Sequence, residues 1–545
     1  VTENLRPGRE VLREAWALAA ILLLFAALSL YRWRSPGLVP DALQDEVRAS
    51  RLLERWREHG VAGSLSLPYG RVKLYHGQIL SYPLAAVFAV FGEGWRVVRS
   101  VPVAWGLVVL AMSYAFLRGA FGRAPALFGT ALLAMDPSFQ TVTRTGMSVS
   151  SHMAAFSVGA LLLLRRCWRT RSPVDAFAAG VVLGLGLSTR VHFGWFLGAL
   201  LVAGAAYRGA VRVRAGDRAG ALLSAALLGA LLSAAPLLWG EWKFGFRGVD
   251  RAATLAAPLA SPSGPVGYVS NLAGVVRKAD FMLSGRSAFA SLFGERASLP
   301  SPGALAFWGG GLFLAASLRR ERVWPARRWA GLCLLVPAVM LLETALAPSA
   351  KVTRIHLAFL HPFPAFVAAG ALAAALRRVR GRPSWRLAPW GAAAVFLAWQ
   401  ATGAAAYAVR LGGEGATGTF NDAVYSVADW VSTERRPGLV VCPDEHVFRT
   451  LYFLCPGERD RLRLPPRRAL PELPRPFDPA LDSVRPGIHL LLWPPLPAGQ
   501  PGVPSHETVA RRVLGSAGRV MPGRRFYDGR GGFRAEALYV EAPDE

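Results

Sequence analysis

The sequence predicts an all-α polytopic membrane fold, with amphipathic interfacial helices in a long first external loop and a small C-terminal α/β unit. Three observations predict it. The 545 residues are 53% hydrophobic, and the apolar ones gather in recurrent stretches. The formal charge of +27 comes in short arginine runs between those stretches. After Arg410 the long apolar stretches give way to short runs punctuated by Pro and Gly. In a water-soluble chain so much positive charge suggests a nucleic-acid partner. No nucleic-acid-binding motif accompanies it here, so none is expected, and arginines between apolar spans report topology instead.

The first stretch, Trp16 to Tyr31, follows Arg6, Arg9 and Arg13 and lacks a small-residue cleavage site, so it is expected to act as an anchor. Others run from Val98 to Leu117, Ala124 to Met135, His152 to Leu164, Ala176 to Leu187 and Phe193 to Tyr207. The series continues at Ala219 to Trp239, Ala304 to Leu318, Trp329 to Ala347, Leu357 to Leu376 and Ala388 to Val409. Crossing the hydrocarbon core takes roughly 20 residues, so the shorter stretches must borrow from their flanks. Eleven spans is the expected count. Ile79 to Gly92, short and broken by Pro83, fits a helix lying in the interface or re-entering it.

With the N-terminus in the cytoplasm, alternation places every large cluster inside: Arg118/Arg123, Arg165 to Arg171, Arg208 to Arg218, Arg319 to Arg328 and Arg377 to Arg386. Outside fall a first loop (32–96), the turns Asp136 to Ser151 and Ser188 to His192, a loop from Glu241 to Gly303, the turn Pro348 to His356, and everything after Arg410. Two domains follow, a transmembrane unit (1–410) and an extracytoplasmic unit (411–545). The latter shows strand-like runs at Gly438 to Val441, Ile488 to Leu492 and Ala537 to Val540, with a helix over Asp422 to Thr433. Cys167 and Cys333 sit in or beside apolar stretches as packing residues. Cys442 and Cys455 in the tail can pair if it is exported. Abundant Ala, Arg and Gly fit a GC-rich bacterial genome and hence a bacterial cytoplasmic membrane.

Chemistry gathers on the outer face. In VPDALQDEVRASRLLERW the residues Leu43, Val47, Leu52, Leu53 and Trp56 recur near a 3.6 period, which predicts a helix that Asp41 can cap. Asp41 and Asp45, four apart, share a face, with Glu46 beside them. The bland alternative is an interfacial helix whose acids pair with Arg48 and Arg51. Cations occupy the other outer segments: Lys73 and His76, Arg144, Arg190 and His192, then Lys351, Arg354 and His356. Singly, each reads as a headgroup anchor. Together, at one depth, they mark a site, because ionisable groups in a membrane are costly. Arginine and lysine near an interface suit phosphate, so carboxylates facing cations imply an acid/base group beside an anionic, lipid-linked ligand.

At this point the chain resembles the C-type glycosyltransferases with many transmembrane helices, in the branch of the protein O-mannosyltransferases and aminoarabinose transferases. VPDALQDEVRASRLLERWREHG is similar to that family's acidic first-loop helix, and YHGQILSYPLAAVFAVFG to its interfacial helix. The segments RVVRSVPVAWGLVV, LLAMDPSFQTVTRTGM, GVVLGLGLSTRVHFGWF and KVTRIHLAFLHPFP follow in the family's order, so that the likeness runs from Trp16 to Arg410. It implies a C-type fold and inverting transfer of a sugar from a polyprenyl-phosphate donor to a lipid, glycan or protein acceptor outside the membrane. Asp41, Asp45 or Glu46 would serve as base, and Arg144, Arg190, Lys351, Arg354, His356, Lys73 and His76 would hold the donor phosphate. The sequence departs in two places: Ala42 stands where a second acid is usual if Asp41 aligns, and no acid follows Arg144 through Val149. No metal ligand set is evident, and a divalent metal stays open as a cofactor. A transporter or flippase of a lipid-linked anion, and a catalytically silent lipid-binding relative, are the alternatives. Inverted repeats and broken mid-membrane helices, which would favour transport, are not evident. No Gly-rich loop follows a strand, which points away from a cytoplasmic nucleotide sugar.

Overall fold

The computed structural model describes residues 7–33, 38, 43–66, 80–145, 148–190, 192–210, 218–243, 264–293, 301–320, 326–346, 352, 354–414, 422–434, 438–463, 488–492, 505, 508–509, 513, 519–521, 523–527 and 533–540. Its helices are α1 (Pro7–Leu30), α2 (Gln44–Ser66), α3 (Ser81–Phe91), α4 (Trp95–Phe121), α5 (Arg123–Ala134), α6 (Pro137–Arg144), α7 (Ser148–Thr170), α8 (Pro173–Thr189), α9 (Phe193–Ala210) and α10 (Arg218–Lys243). There follow α11 (Gly264–Leu283), α12 (Arg286–Phe293), α13 (Gly303–Arg320), α14 (Arg327–Thr344), α15 (Pro362–Arg378), α16 (Ala388–Glu414), α17 (Ala423–Thr433) and α18 (Glu445–Leu454). The strands are β1 (Leu439–Val441), β2 (Leu462–Arg463), β3 (Ile488–Leu492), β4 (Val520–Met521), β5 (Arg525–Tyr527) and β6 (Phe533–Val540).

Each apolar stretch expected to cross the membrane has a helix of its own over its described residues, the one from Leu357 starting in a 3-10 turn, Arg354–Leu360, ahead of α15. Among the described residues, five helical segments are long and apolar enough to cross by length and composition: Glu10–Leu30, Trp95–Phe121, Gly220–Trp239, His356–Arg378 and Ala388–Gly412. Helices pack closely where small residues allow it. A Cβ at Gly180 would collide with the Ala226 carbonyl, and one at Gly229 with the Phe177 carbonyl, so α8 and α10 approach backbone to backbone. Gly180 and Gly184 form the small-xxx-small pattern that favours such contact within a membrane.

The expected inner arginines collect at one end of this bundle. Glu14, buried on α1, binds Arg118 and, at 3.4 Å, Arg123. Arg166 pairs with Asp175 at 3.0 Å, Arg328 lies 5.5 Å from the centre of the Trp168 ring, and Arg378 lies 5.0 Å from that of Phe313. Phe121, Leu314, Ala326 and Ala374 pack together at the same end. The side chains of Arg208, Arg212, Arg214 and Arg218 lie outside the described residues.

Two expectations need correction. The stretch Glu241 to Gly303, read as a loop, contains α11 and α12, and α11 buries Val275, Ala279 and Met282 against the bundle. The turn Asp136 to Ser151 contains α6, because Asp136 accepts from the backbone N–H groups of Ser138 (2.7 Å) and Phe139 (3.0 Å) and Pro137 occupies the first turn.

The C-terminal unit is α/β, with strand order β2-β1-β3-β6-β4 and β5 also on β6. β1 runs parallel to β2 and β3, while β6 runs antiparallel to β3, with Leu490 opposite Leu538. The period of two divides its side chains between faces. Leu439, Val441, Leu490, Leu492, Leu538 and Val540 share one cluster, while Val440, Leu491 and Ala537 turn to the other face. That second face is continuous with α17 and α18, and through them with Leu43, Val47, Leu52 and Leu53 of the first loop and Leu84 and Phe88 of α3. The tail therefore joins the first-loop helices in one core.

Candidate functional site

Asp45 and Glu46 stand in the first turn of α2, where the helix dipole favours negative charge. Asp45 and Glu46 are 3% and 1% exposed, so both carboxylates are held inside the protein. Asp45 pairs with Arg48 at 3.1 Å, as the bland reading anticipated. Arg51, the other expected partner, lies instead 5.5 Å from the centre of the Tyr452 ring. Leu43 and Val47, on either side of the acids, share a cluster with Val98 at the start of α4 and Tyr425 on α17. Asp41, Lys73, His76 and Lys351 lie outside the described residues, as does the side chain of Arg354.

Val98 leads directly to Arg99, a buried residue of the segment RVVRSVPVAWGLVV that was not among the expected site cations. Its guanidinium donates to the Arg144 carbonyl at the end of α6 and, at 3.4 Å, to the Tyr425 hydroxyl. Arg144, 1% exposed, in turn donates to the Leu28 carbonyl at 2.6 Å and to the Tyr31 carbonyl. The last carbonyls of a helix have no partner within it, so cations there satisfy both a hydrogen-bonding and a dipole requirement. Each arginine thus closes a helix end: Arg99 that of α6 and Arg144 that of α1.

A second cationic group forms where the third and fifth outer turns meet. Arg190 ends α8 in extended conformation, and the chain reverses into α9 with the Phe193 N–H donating to the Arg190 carbonyl at 2.9 Å. The reversal depends on Gly186, where a Cβ would run into the Phe193 ring. His192 then stacks on His356, with ring centroids 4.0 Å apart and planes 20° from parallel. His356 lies in a 3-10 turn, Arg354–Leu360. Lys278 on α11 donates to the Val352 carbonyl at 2.6 Å, and the charges of Lys278 and Arg190 both reach His356. Of the expected donor-binding residues, Arg190 and His356 are brought together here. Lys278 was missed because it lies within the stretch read as loop.

Trp33 and Trp95 pack against each other at 5.2 Å, and Trp95 packs on Tyr425 at 5.8 Å. Among the described residues no group of three or more His, Cys, Asp or Glu is gathered to hold a metal. Cys442 and Cys455 are free and buried.

Residues 76–240 match the family model described as dolichyl-phosphate-mannose-protein mannosyltransferase. No curated protein matches the chain by sequence. Among solved structures, the chain is similar to ArnT from Cupriavidus metallidurans bound to undecaprenyl phosphate, at 14% identity and a TM-score of 0.55 over 98% of each chain. The apo state of the same protein gives 13% identity and a TM-score of 0.58, over 96% of this chain and 98% of that one. The oligosaccharyltransferase of Archaeoglobus fulgidus, in complex with Zn and sulfate, gives 14% identity and a TM-score of 0.51, over 95% of this chain and 72% of that one. The expected resemblance to C-type glycosyltransferases is borne out, and it extends beyond Arg410 into the C-terminal unit.

Proposed function

We propose that this chain, which shares its fold with ArnT, is an integral-membrane glycosyltransferase that moves a sugar from a polyprenyl-phosphate donor to an acceptor on the outer side of a bacterial cytoplasmic membrane. The observation that carries the reading is the meeting of Arg190, His192, Lys278 and His356, drawn from separate segments, at the end of the bundle opposite the arginine clusters. In this reading the chain has eleven spans, its N-terminus inside and residues 411–545 outside, and the positive-inside bias of the arginine clusters supports that end facing outward.

In this scheme the acceptor hydroxyl or amine attacks the anomeric carbon as the bond to the donor phosphate breaks, inverting the centre. The departing electron pair stays on the phosphate oxygen, where cations stabilise the developing charge. A first-loop carboxylate, Asp41, Asp45 or Glu46, takes the acceptor proton. The burial of Asp45 and Glu46 supports this role. Arg190 and His356, with Lys278 added, are the donor-binding candidates best supported by position. Lys73, His76, Lys351 and Arg354 retain that role by sequence alone. The bonds of Arg144 to α1 support a different part for it, fixing the outer end of α1 and the turn that follows α6.

The test is transfer of radiolabelled sugar from extracted polyprenyl-phosphate donors to membrane acceptors by the purified protein in lipid nanodiscs. Label that moves supports the enzyme. Undecaprenyl phosphate binding without any transfer from a broad donor pool would instead favour the silent relative.

A further inference from the structure

Arg459 connects three parts of the molecule that are distant in sequence. It lies in the 3-10 turn Pro456–Arg461 that follows α18, with only 11% of its side chain exposed. Its guanidinium donates to Glu54 on α2, to Glu93 at 3.0 Å between α3 and α4, and to Ser50 on α2 at 3.1 Å. Ser50 donates to Glu93 in turn. Ser50 and Glu54 are one helical turn apart and share a face. A guanidinium, with five donors, can hold these three acceptors and a fourth through Nε, whereas an ammonium has only three donors. The guanidinium carbon lies 4.9 Å from the centre of the Tyr452 ring, and Nε donates to the Tyr452 carbonyl at 3.1 Å, so the fork is itself held from behind.

We infer that Arg459 is a positioning residue, through which the C-terminal unit holds the acid-bearing start of α2 in place. Ser50 follows Glu46 by one turn of the same helix, so a shift at the clamp is carried to the carboxylates. A second bond joins the C-terminal unit to the membrane helices, since Tyr425 accepts from Arg99, which holds the end of α6. The unit thus holds α2 directly and, through Arg99, the end of α6. A base must lie within hydrogen-bond reach of the acceptor, so a small displacement of α2 slows transfer and leaves donor binding intact. The effect on rate rests on the glycosyltransferase reading, whereas the clamp itself does not.

The test uses the full-length protein in nanodiscs, spin-labelled at Glu58→Cys on the exposed part of α2 and at Tyr527→Cys on exposed β5. The expected result is a narrow distance distribution in the otherwise unaltered protein, broadened by Arg459→Ala and by Arg459→Lys. Glu54→Gln, which leaves the bonds to Glu93 and Ser50, should broaden it less and guards against a variant that simply fails to fold. In unlabelled protein, Arg459→Ala should lower the maximal transfer rate at least tenfold and change undecaprenyl phosphate binding less than twofold. A distribution that stays narrow in both Arg459 variants overturns the clamp. Broadening with an unchanged rate in an active enzyme overturns the positioning role. If the unaltered protein transfers nothing, the distance measurement still decides the clamp, and the failure belongs to the proposed function.

Discussion

His192 and His356 lie on turns far apart in sequence, yet their rings stack with centroids 4.0 Å apart and planes 20° from parallel. Such a stack needs both turns in register, so the two rings are one structural feature. The charges of Arg190 and Lys278 both act on it.

Replacing His356 by Ala removes one face of the stack and a donor-capable ring. A hydrogen bond to a charged group contributes about 1.5–3 kcal/mol, so donor affinity should fall roughly tenfold to a hundredfold. His192→Ala should do the same, and the double variant should lose less than the sum because the rings share one environment. Titration with undecaprenyl phosphate checks both points, and additive losses would show that the rings act separately.

Arg144→Ala leaves two carbonyls at the end of α1 without their donor, in a site almost closed to water. Each buried acceptor left unsatisfied costs about 1–3 kcal/mol. A lower melting temperature in detergent is therefore expected, with Arg144→Lys intermediate because one ammonium cannot reproduce the fork. Unchanged melting in both variants would remove the structural role.

Gly180→Ala forces the backbones of α8 and α10 apart, because the new Cβ meets the Ala226 carbonyl. Overpacking of this kind costs about 1–3 kcal/mol. Reduced thermal stability is expected, and a second substitution at Ala226 should not relieve it, since the clash is with main chain.

Burial pushes the Cys455 thiol up to about 11 and raises that of Cys442 as well. A raised thiol pKa leaves little thiolate at neutral pH, and thiolate is the reactive form. Neither residue should be alkylated by iodoacetamide at pH 7.5 in the native protein, and both should react once it is denatured. The contrast is read by mass spectrometry of peptides from the C-terminal unit.

Much of this architecture was legible because the chain states it twice, once in hydrophobicity and once in charge. The apolar run from Val98 to Leu117 and the following Arg118 and Arg123 both say where α4 ends, and the structure agrees. Strand β3 was legible as Ile488 to Leu492 because a short apolar run stands between turn residues. Helix α11 was missed because it is too polar, with Arg277, Lys278 and Asp280 within four residues, for a reading that sought spans. Its buried Val275, Ala279 and Met282 at helical spacing were the available signal. The pairing of His192 with His356 had a partial signal in that both stand where an apolar span begins. Nothing in the sequence indicated that Arg459 would reach Glu54 and Glu93, because contacts between distant segments depend on how the C-terminal sheet docks.

The most direct measurement is transfer of radiolabelled sugar from a polyprenyl-phosphate donor pool by the protein in nanodiscs, comparing the unaltered chain with Asp41→Asn, Asp45→Asn and Glu46→Gln. General-base catalysis contributes about 10²–10⁴-fold. At least one variant should therefore lose transfer by that factor while its undecaprenyl phosphate binding and its amount in the membrane stay unchanged. Full activity in all three variants would contradict a first-loop carboxylate as the base.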